Sequence, residues 1–272
     1  MWGILQDVRV ILVLAVSLVS VFGQTRQERG KRVVDEALAA LGGERFLAMQ
    51  DRVESGRVYS FYRERLSGLS LAKIYTRYTL RPEPPVPGKI WVRERQSFGK
   101  AERDGAVLFT DDNAYQVTYR GARPVPAETL DRYRETTLHN VLYILRQRLG
   151  EPGLTFDYQG SDVVDNAPVD IVDITDSDNR TVTVYFSQTS KLPIRQKWVR
   201  RDPKTRDRIE EVTIFSKYRD AGGGAQWPYD IQRLRNDEKI FQIYSDSVEI
   251  NKRLTDDLFL LPLGITVLKP EK

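Results

Sequence analysis

Few side chains in this 272-residue chain could do covalent chemistry, and the missing types exclude several classes of function. There is no cysteine, so disulfides, iron–sulfur clusters and thiol nucleophiles are impossible. The single histidine, His139, cannot form a multi-histidine metal site. The G-x-S-x-G motif of serine hydrolases does not occur, and the aspartate pairs at 111–112 and 256–257 are typical of turns and helix starts. We therefore predict no catalytic residue, no metal and no cofactor, with a carboxylate pair assembled from distant strands as the one arrangement left open.

His139 is the residue that a general acid–base mechanism would use, because histidine is the commonest side chain in that role. It falls within a helical pattern over residues 127–149, about 100° around the helix from the centre of the apolar face. Its polar neighbours on that flank are Asn140 and Arg146. This position predicts a solvent-exposed helix histidine and not a general base.

The N-terminus has the features of an export signal. An uncharged apolar run at residues 10–22 is followed by Gly23 and then by polar residues. Secretory signals have roughly 7–15 apolar residues before a small-residue cleavage site. We predict a signal peptide over residues 1–23, cleavage between Gly23 and Gln24, and a secreted or periplasmic mature chain. The alternative is an uncleaved anchor in the inner membrane, although a spanning helix needs roughly 20 apolar residues.

Two segments have the periodicity of amphipathic helices. Apolar residues recur on one face over 26–41, and the following pair Gly42 and Gly43 allows the positive φ at which helices often end. A short helical piece is predicted at 44–50. Residues 127–149 keep their leucines on one side at helical spacing. The sequence thus predicts an N-terminal helix and one long helix inserted midway along the chain.

The remaining chain consists of short apolar or alternating runs separated by turn sequences rich in Asp, Asn and Gly. The spacing of roughly a dozen residues indicates antiparallel hairpins in one large sheet. The predicted strands cover residues 53–61, 69–80, 89–97, 106–110, 115–119, 154–158, 169–175, 181–187, 194–200, 209–218, 229–235 and 239–250.

A sheet with this many strands must curl, since twisted open sheets rarely exceed about 10 strands without doing so. Residues 254–262 add a short helical or turn segment that packs its apolar side chains back onto the sheet. The predicted fold class is α+β. It is a single strongly curved antiparallel sheet, an incomplete β-barrel of about 11–12 strands, covered by the N-terminal helix and the long inserted helix.

Several short motifs occur in an order that resembles a known family. They are ALGG at 40–43, Gly56, KLPI at 191–194, FSKYR at 215–219, WPY at 227–229, VEIN at 248–251 and LTDDLFLLP at 254–262. Each motif alone is weak, but their order within the strand–helix–strand frame resembles the LolA/LolB-like outer-membrane lipoprotein-sorting proteins. The resemblance extends over nearly all of residues 24–272.

The resemblance implies a lipid-binding domain over residues 24–272, in which an apolar hollow between sheet and helices shelters acyl chains of lipoproteins or lipids. It implies no catalytic step. No motif marks the ligand contacts, so the candidates are large apolar residues of the strands and the inserted helix, each of which could equally belong to an ordinary core. They are Trp91, Phe109, Tyr115, Leu138, Leu142, Leu145, Phe186, Trp198, Val212 and Ile214. The alternative function is an envelope protein-interaction or stress-sensor module with the same fold.

Basic residues cluster in two strand regions, although the formal net charge is only +4. Residues 52–103 carry twelve basic and five acidic side chains, and residues 195–210 carry seven and three. An exported chain meets lipid headgroups and not nucleic acid, so these regions predict contact with an anionic membrane surface. The competing interpretation is a set of solvated residues that protect strands from aggregation. The predicted partners are therefore acyl chains, an anionic membrane and an envelope protein.

Overall fold

The computed structural model describes residues 24–110 and 112–270. The predicted signal peptide, residues 1–23, lies outside the described residues. Within the part of the chain that is described, no helix is long and apolar enough to cross a membrane.

The chain forms one continuous open sheet of thirteen antiparallel strands, which confirms the predicted fold class. The strands are β1 (Asp51–Tyr62), β2 (Arg65–Tyr78), β3 (Val92–Phe98), β4 (Gly105–Phe109), β5 (Ala114–Thr118), β6 (Gly121–Pro124), β7 (Thr155–Val164), β8 (Ala167–Thr175), β9 (Thr181–Ser187), β10 (Pro193–Arg201), β11 (Arg208–Asp220), β12 (Gln226–Arg235) and β13 (Glu238–Ile250). Their order is β6-β5-β4-β3-β2-β1-β13-β12-β11-β10-β9-β8-β7, so the first and last strands pair at the centre. Strands β6 and β7 are the two edges, and the sheet is not closed.

All twelve predicted strands are present, and the thirteenth, β6, was missed. It has only four residues and ends in Pro124, a residue that strands tolerate mainly at an edge. The strong curvature has a local cause at the centre of the sheet. The pairing of β1 with β13 shifts register between Ser55 and Gly56, and a Cβ on Gly56 would lie 2.3 Å from the Tyr244 carbonyl oxygen. Such bulges bend a strand and increase its twist.

The predicted N-terminal helix is confirmed as α1 (Arg26–Ala40), and a short α2 (Glu44–Leu47) follows it. Thr25 begins α1 with a capping box, because its side chain accepts the Glu28 backbone N–H while the Glu28 carboxylate accepts the Thr25 N–H. Gly30 allows α1 to touch the sheet backbone, since a Cβ there would lie 2.2 Å from the Phe156 carbonyl oxygen.

The predicted single helix over residues 127–149 is wrong, because the chain breaks after α3 (Ala127–Leu138). It resumes as α4 (Val141–Tyr143) and a π-helical turn (Ile144–Arg148). Asn140 adopts an extended conformation and starts α4 by accepting the Leu142 N–H at 2.9 Å. The two pieces are therefore separate: α4 lies in the main core, whereas α3 is mostly unburied.

The main core lies on the inner face of the sheet, which we define as the face that carries the helices. Helix α1, α4 and the π-helical turn fill this face over β7–β10 with apolar side chains. The largest fully buried ones in this core are Phe46, Phe186, Phe215, Leu41, Met49, Leu142, Ile144, Leu145 and Ile174.

The opposite, outer face is covered by the C-terminal segment, as predicted for residues 254–262. Phe259 is fully buried against Leu108 and Val53 of the sheet, and Leu254 and Leu258 pack beside it. The outer face of β2–β5 is apolar where this segment covers it.

Candidate functional site

A hollow of about 420 Å³ lies between α3 and the inner face of the sheet. It forms because the inserted helix breaks at His139: α4 stays in the core, while α3 crosses above β1–β4 and β11–β13. Of the residues in α3, only Leu138 is buried. The face that α3 turns to the hollow carries Thr129, Arg132, Tyr133 and Thr136, so it cannot pack tightly onto an apolar sheet.

One end of the hollow is apolar. Its side chains come from the central strands and form a separate small cluster, because inner-face residues of paired strands lie side by side. The lining residues at this end are Val58, Ile74, Phe98, Ile231, Phe241 and Ile243. This end of the hollow could hold hydrocarbon.

The other end has a buried polar wall centred on Arg52 and Glu54. Arg52 stacks its guanidinium 3.9 Å from the centre of the Trp227 ring and donates to the Thr76 hydroxyl at 3.0 Å. Its Nε lies 3.6 Å from the Glu54 carboxylate, which also accepts a hydrogen bond from Ser245. Burial raises the pKa of Glu54, while the charge of Arg52 and the Ser245 hydrogen bond act in the opposite direction.

The lid over the hollow is held by an aromatic contact. Tyr133 of α3 stacks on Phe109 of β4, with ring centres 3.9 Å apart and planes 10° from parallel. Burial raises the pKa of Tyr133 well above its usual value, so the phenol is neutral. Apart from this stack, α3 turns mostly threonine and arginine toward the hollow. These polar side chains hold α3 only weakly against the apolar part of the sheet.

Six of the ten residues predicted from sequence lie at the hollow, in the main core or at the end of α3. Phe109 and Leu142 line the hollow. Leu145, Phe186 and Trp198 lie in the main core, and Leu138 is buried at the end of α3.

The other four predicted residues lie elsewhere. Tyr115 packs on the outer face under the C-terminal segment. Val212 and Ile214 also face outward, since their neighbours Thr213 and Phe215 are the β11 residues that line the hollow. Trp91 lines a different cleft and donates its backbone N–H to the Tyr143 hydroxyl at 2.6 Å.

The prediction that His139 is solvent-exposed is wrong. Only 5% of its surface is exposed, and its ring stacks on Trp198 with centres 4.0 Å apart. The helix break turns it inward, and its Nδ1 lies 2.7 Å from the Glu135 carbonyl oxygen. Burial lowers its pKa from 6.5 to about 4, so the ring is neutral at physiological pH. It does not line the hollow, and the structure gives it a packing role.

The polar wall was missed by the sequence prediction, which counted Arg52 and Glu54 only as part of a charge balance and did not single out Arg233. The sequence does contain a signal for this wall. One face of β1 carries in order Arg52, Glu54, Gly56 and Val58, so this face changes from charged to apolar along the strand.

A second, wider cleft of about 1,400 Å³ lies at the end of the sheet, between the loop at 81–90 and residues 253–256. Part of its charge is internally neutralised, because Asp256 contacts Arg77 at 2.8 Å and Arg93 at 3.1 Å. Tyr78 lines both this cleft and the hollow. Nowhere in residues 24–110 and 112–270 does a group of three or more His, Asp or Glu side chains form a candidate metal site.

An open, curved antiparallel sheet with helices above a hollow defines the class of half-barrel folds. No protein-family model matches the chain, and no curated protein matches its sequence. Solved structures do share its fold. An outer membrane lipoprotein-sorting protein domain from Vibrio parahaemolyticus has a TM-score of 0.55 at 11% identity, over 86% of this chain and 97% of that one.

Two further structures agree in fold. A DUF1329 family protein from Desulfovibrio piger has a TM-score of 0.57 at 14% identity, over 85% of this chain and 97% of that one. A LolA superfamily protein from Nitrosomonas europaea has a TM-score of 0.50 at 10% identity, again over 85% and 97%. The resemblance predicted from sequence is therefore confirmed at the level of the fold.

Proposed function

We propose that this protein is a periplasmic carrier that shelters an acyl chain in the hollow beneath α3 and works by binding and release. The observation that carries the proposal is the hollow itself. Its volume of about 420 Å³ lies toward the lower end of the range for ligand pockets, and one end is lined by aliphatic and phenylalanine side chains. The sorting-domain and LolA superfamily structures that share the fold support a carrier of this kind. The proposal includes export of the chain by the predicted signal peptide over residues 1–23.

Blocking the hollow tests the proposal. The fluorescent neutral probe N-phenyl-1-naphthylamine brightens in apolar sites, and we expect it to bind the purified protein and to be displaced by fatty acid. Thr213→Trp places an indole into the hollow from β11, and we expect it to weaken probe binding at least about tenfold by occupying the apolar space. The matched control is Gln232→Trp on the outer face of the adjacent strand, which should bind the probe like the wild type.

Equal binding by Thr213→Trp and the wild type, with both folded by circular dichroism, would place the probe elsewhere and contradict the proposal. A protein that excludes the probe but captures an envelope protein would favour the alternative function as an interaction module.

The hairpin of β1 and β2 gives this carrier a means of reaching a membrane. Leu66, Leu69 and Leu71 are 58%, 60% and 49% exposed, and Tyr62 at the turn is 67% exposed. Arg63, Glu64 and Arg65 lie in and beside the same turn and give it a net charge of +1. Exposed leucine and tyrosine flanked by arginine are suited to the interface of an anionic bilayer. We therefore propose that this hairpin is the part of the protein that contacts the predicted anionic membrane surface.

Vesicle sedimentation tests this assignment. The wild type should sediment with vesicles of phosphatidylglycerol and phosphatidylcholine, and added salt should reduce the bound fraction because it screens the arginines. The double change Leu69→Ser and Leu71→Ser should weaken binding at least about tenfold, since serine buries less apolar surface in the bilayer than leucine does. Leu263→Ser, a fully exposed leucine on the C-terminal segment, is the control and should bind normally. Normal binding by the double variant would rule out the hairpin.

A further inference from the structure

Two arginines face the hollow from opposite sides. Arg132 projects from α3, the lid, and Arg233 from β12, in the sheet. Among the described residues, no carboxylate oxygen lies within 4.0 Å of either guanidinium, which is the distance that defines an ion pair. Both side chains are exposed to solvent, so an anionic group can reach them from outside the hollow.

Other arginines on or near the inner face are paired. Arg52 lies beside Glu54, and Arg200 and Arg235 contact Glu211 at 2.9 and 3.1 Å. The remaining carboxylate at the hollow, Glu94, accepts a hydrogen bond from Gln96 at 2.6 Å and acts on Arg233 through its charge without forming an ion pair. Among the described residues that line the hollow, Arg132 and Arg233 are therefore the arginines without an ion pair.

Arg233 lies next to the apolar end of the hollow. On the same face of β12 the next residue is Ile231, and the Arg233 guanidinium lies 5.7 Å from the centre of the Phe241 ring. A ligand with an anionic group at Arg233 could lay a hydrocarbon chain along Ile231 and Ile243 without leaving the hollow. A guanidinium binds carboxylate or phosphate oxygens through paired N–H donors.

We infer that the hollow recognises a single-chain anionic amphiphile, whose carboxylate or phosphate headgroup is bound between Arg132 and Arg233 while its chain occupies the apolar end. This inference rests on the proposed function. The volume of about 420 Å³ favours one chain over the several chains of a lipoprotein anchor. Because one arginine lies on the lid and the other on the sheet, the headgroup draws α3 onto the sheet, and release requires α3 to lift.

Displacement of N-phenyl-1-naphthylamine by matched ligands tests the inference on the purified full chain. Laurate and dodecyl phosphate carry the anionic headgroup, monolaurin has the same acyl chain as laurate with a neutral headgroup, and inorganic phosphate has no chain. We expect laurate and dodecyl phosphate to bind at least about tenfold more tightly than monolaurin, because only a charged headgroup accepts charge-assisted hydrogen bonds from both guanidinium groups. Inorganic phosphate should not displace the probe.

The variants are Arg132→Gln, Arg233→Gln and the double change. The double change should weaken laurate and dodecyl phosphate at least about tenfold and change monolaurin affinity less than about threefold. Arg195→Gln is the matched control, because Arg195 lies on the outer face of β10, where it pairs with Ile214. It should leave the affinities of all the ligands unchanged.

The possible failures are distinguishable. If monolaurin binds as tightly as laurate, or if the double variant weakens all ligands equally, the headgroup site is wrong while the carrier proposal stands. If inorganic phosphate displaces the probe as well as dodecyl phosphate, the arginines bind free phosphate and the amphiphile inference is wrong. If neither the probe nor any ligand with a chain binds, the proposed function fails and this inference fails with it.

Discussion

Replacing Arg148 with alanine should lower the free energy of unfolding by about 3–5 kcal/mol, measured by urea denaturation at neutral pH. Arg148 is buried, and it donates to both oxygens of Glu151 at 2.6 Å and to Asp176 at 2.7 Å. It also donates to the Leu138 carbonyl at the end of α3, at 2.5 Å. The substitution leaves two buried carboxylates uncompensated and removes the contact that fixes the break between α3 and α4.

The control for this variant is Arg208→Ala. Arg208 contacts Glu210 at 3.2 Å on the surface, where an ion pair contributes at most about 1 kcal/mol. A loss of less than about 1 kcal/mol for Arg148→Ala as well would mean that the buried network does not hold the helix break.

The Arg148 network also resists acid. Burial by itself would raise the pKa of Asp176, but hydrogen bonds from Arg148 and from the Arg180 backbone hold it below its usual value. A carboxylate with a lowered folded-state pKa stabilises the protein above its unfolded pKa, and this stabilisation is lost as the pH falls through the folded value. Arg148→Ala should therefore unfold at a higher pH than the wild type.

Lowering the pH from 6.5 to 4 should remove about 3 kcal/mol of stability through His139 alone. The folded-state pKa of His139 is about 4, against 6.5 unfolded, because burial disfavours the charged ring. The unfolded chain therefore takes up the proton first, and each pH unit in this window costs about 1.4 kcal/mol. Above pH 6.5 the contribution of His139 to the free energy of unfolding is fully present.

The comparison that isolates this effect is His139→Phe, which keeps an aromatic ring against Trp198 but cannot be protonated. The difference in stability between wild type and variant should change by about 3 kcal/mol across the window. The comparison is needed because Glu54, whose pKa is raised by burial, contributes with the opposite sign. Parallel stability curves for the two proteins would contradict the buried, neutral histidine.

Much of the fold follows from local sequence patterns. Strand alternation and turn residues predicted twelve strands, most of them within four residues of their ends, because hairpin pairing is local in the chain, although β7 extends six residues beyond its predicted end. The helix break at His139 could not be predicted in the same way. Residues 127–149 keep helical periodicity throughout, and the break depends on Arg148, which lies ten residues beyond Leu138 and makes its contacts only in the folded state.

The candidate site was only partly predictable. Apolar character predicted Phe109 and Leu142, which line the hollow, but it also selected Val212 on the outer face, where burial comes from neighbouring strands. Thr213 and Phe215 alternate with Val212 on β11, and a pattern with apolar residues on both faces does not show which one turns inward. The charged residues of the hollow became recognisable only when distant strands placed Arg233 and Arg52 on one inner face.

The most direct test of the account is mass spectrometry of lipid extracted from the purified protein, comparing the wild type with Thr213→Trp produced in the same cells. The account predicts that a single-chain anionic lipid accompanies the wild type at close to one per protein and is lost from the variant. A wild-type protein that carries no lipid and takes up none when it is offered, or a variant that carries as much as the wild type, would contradict it.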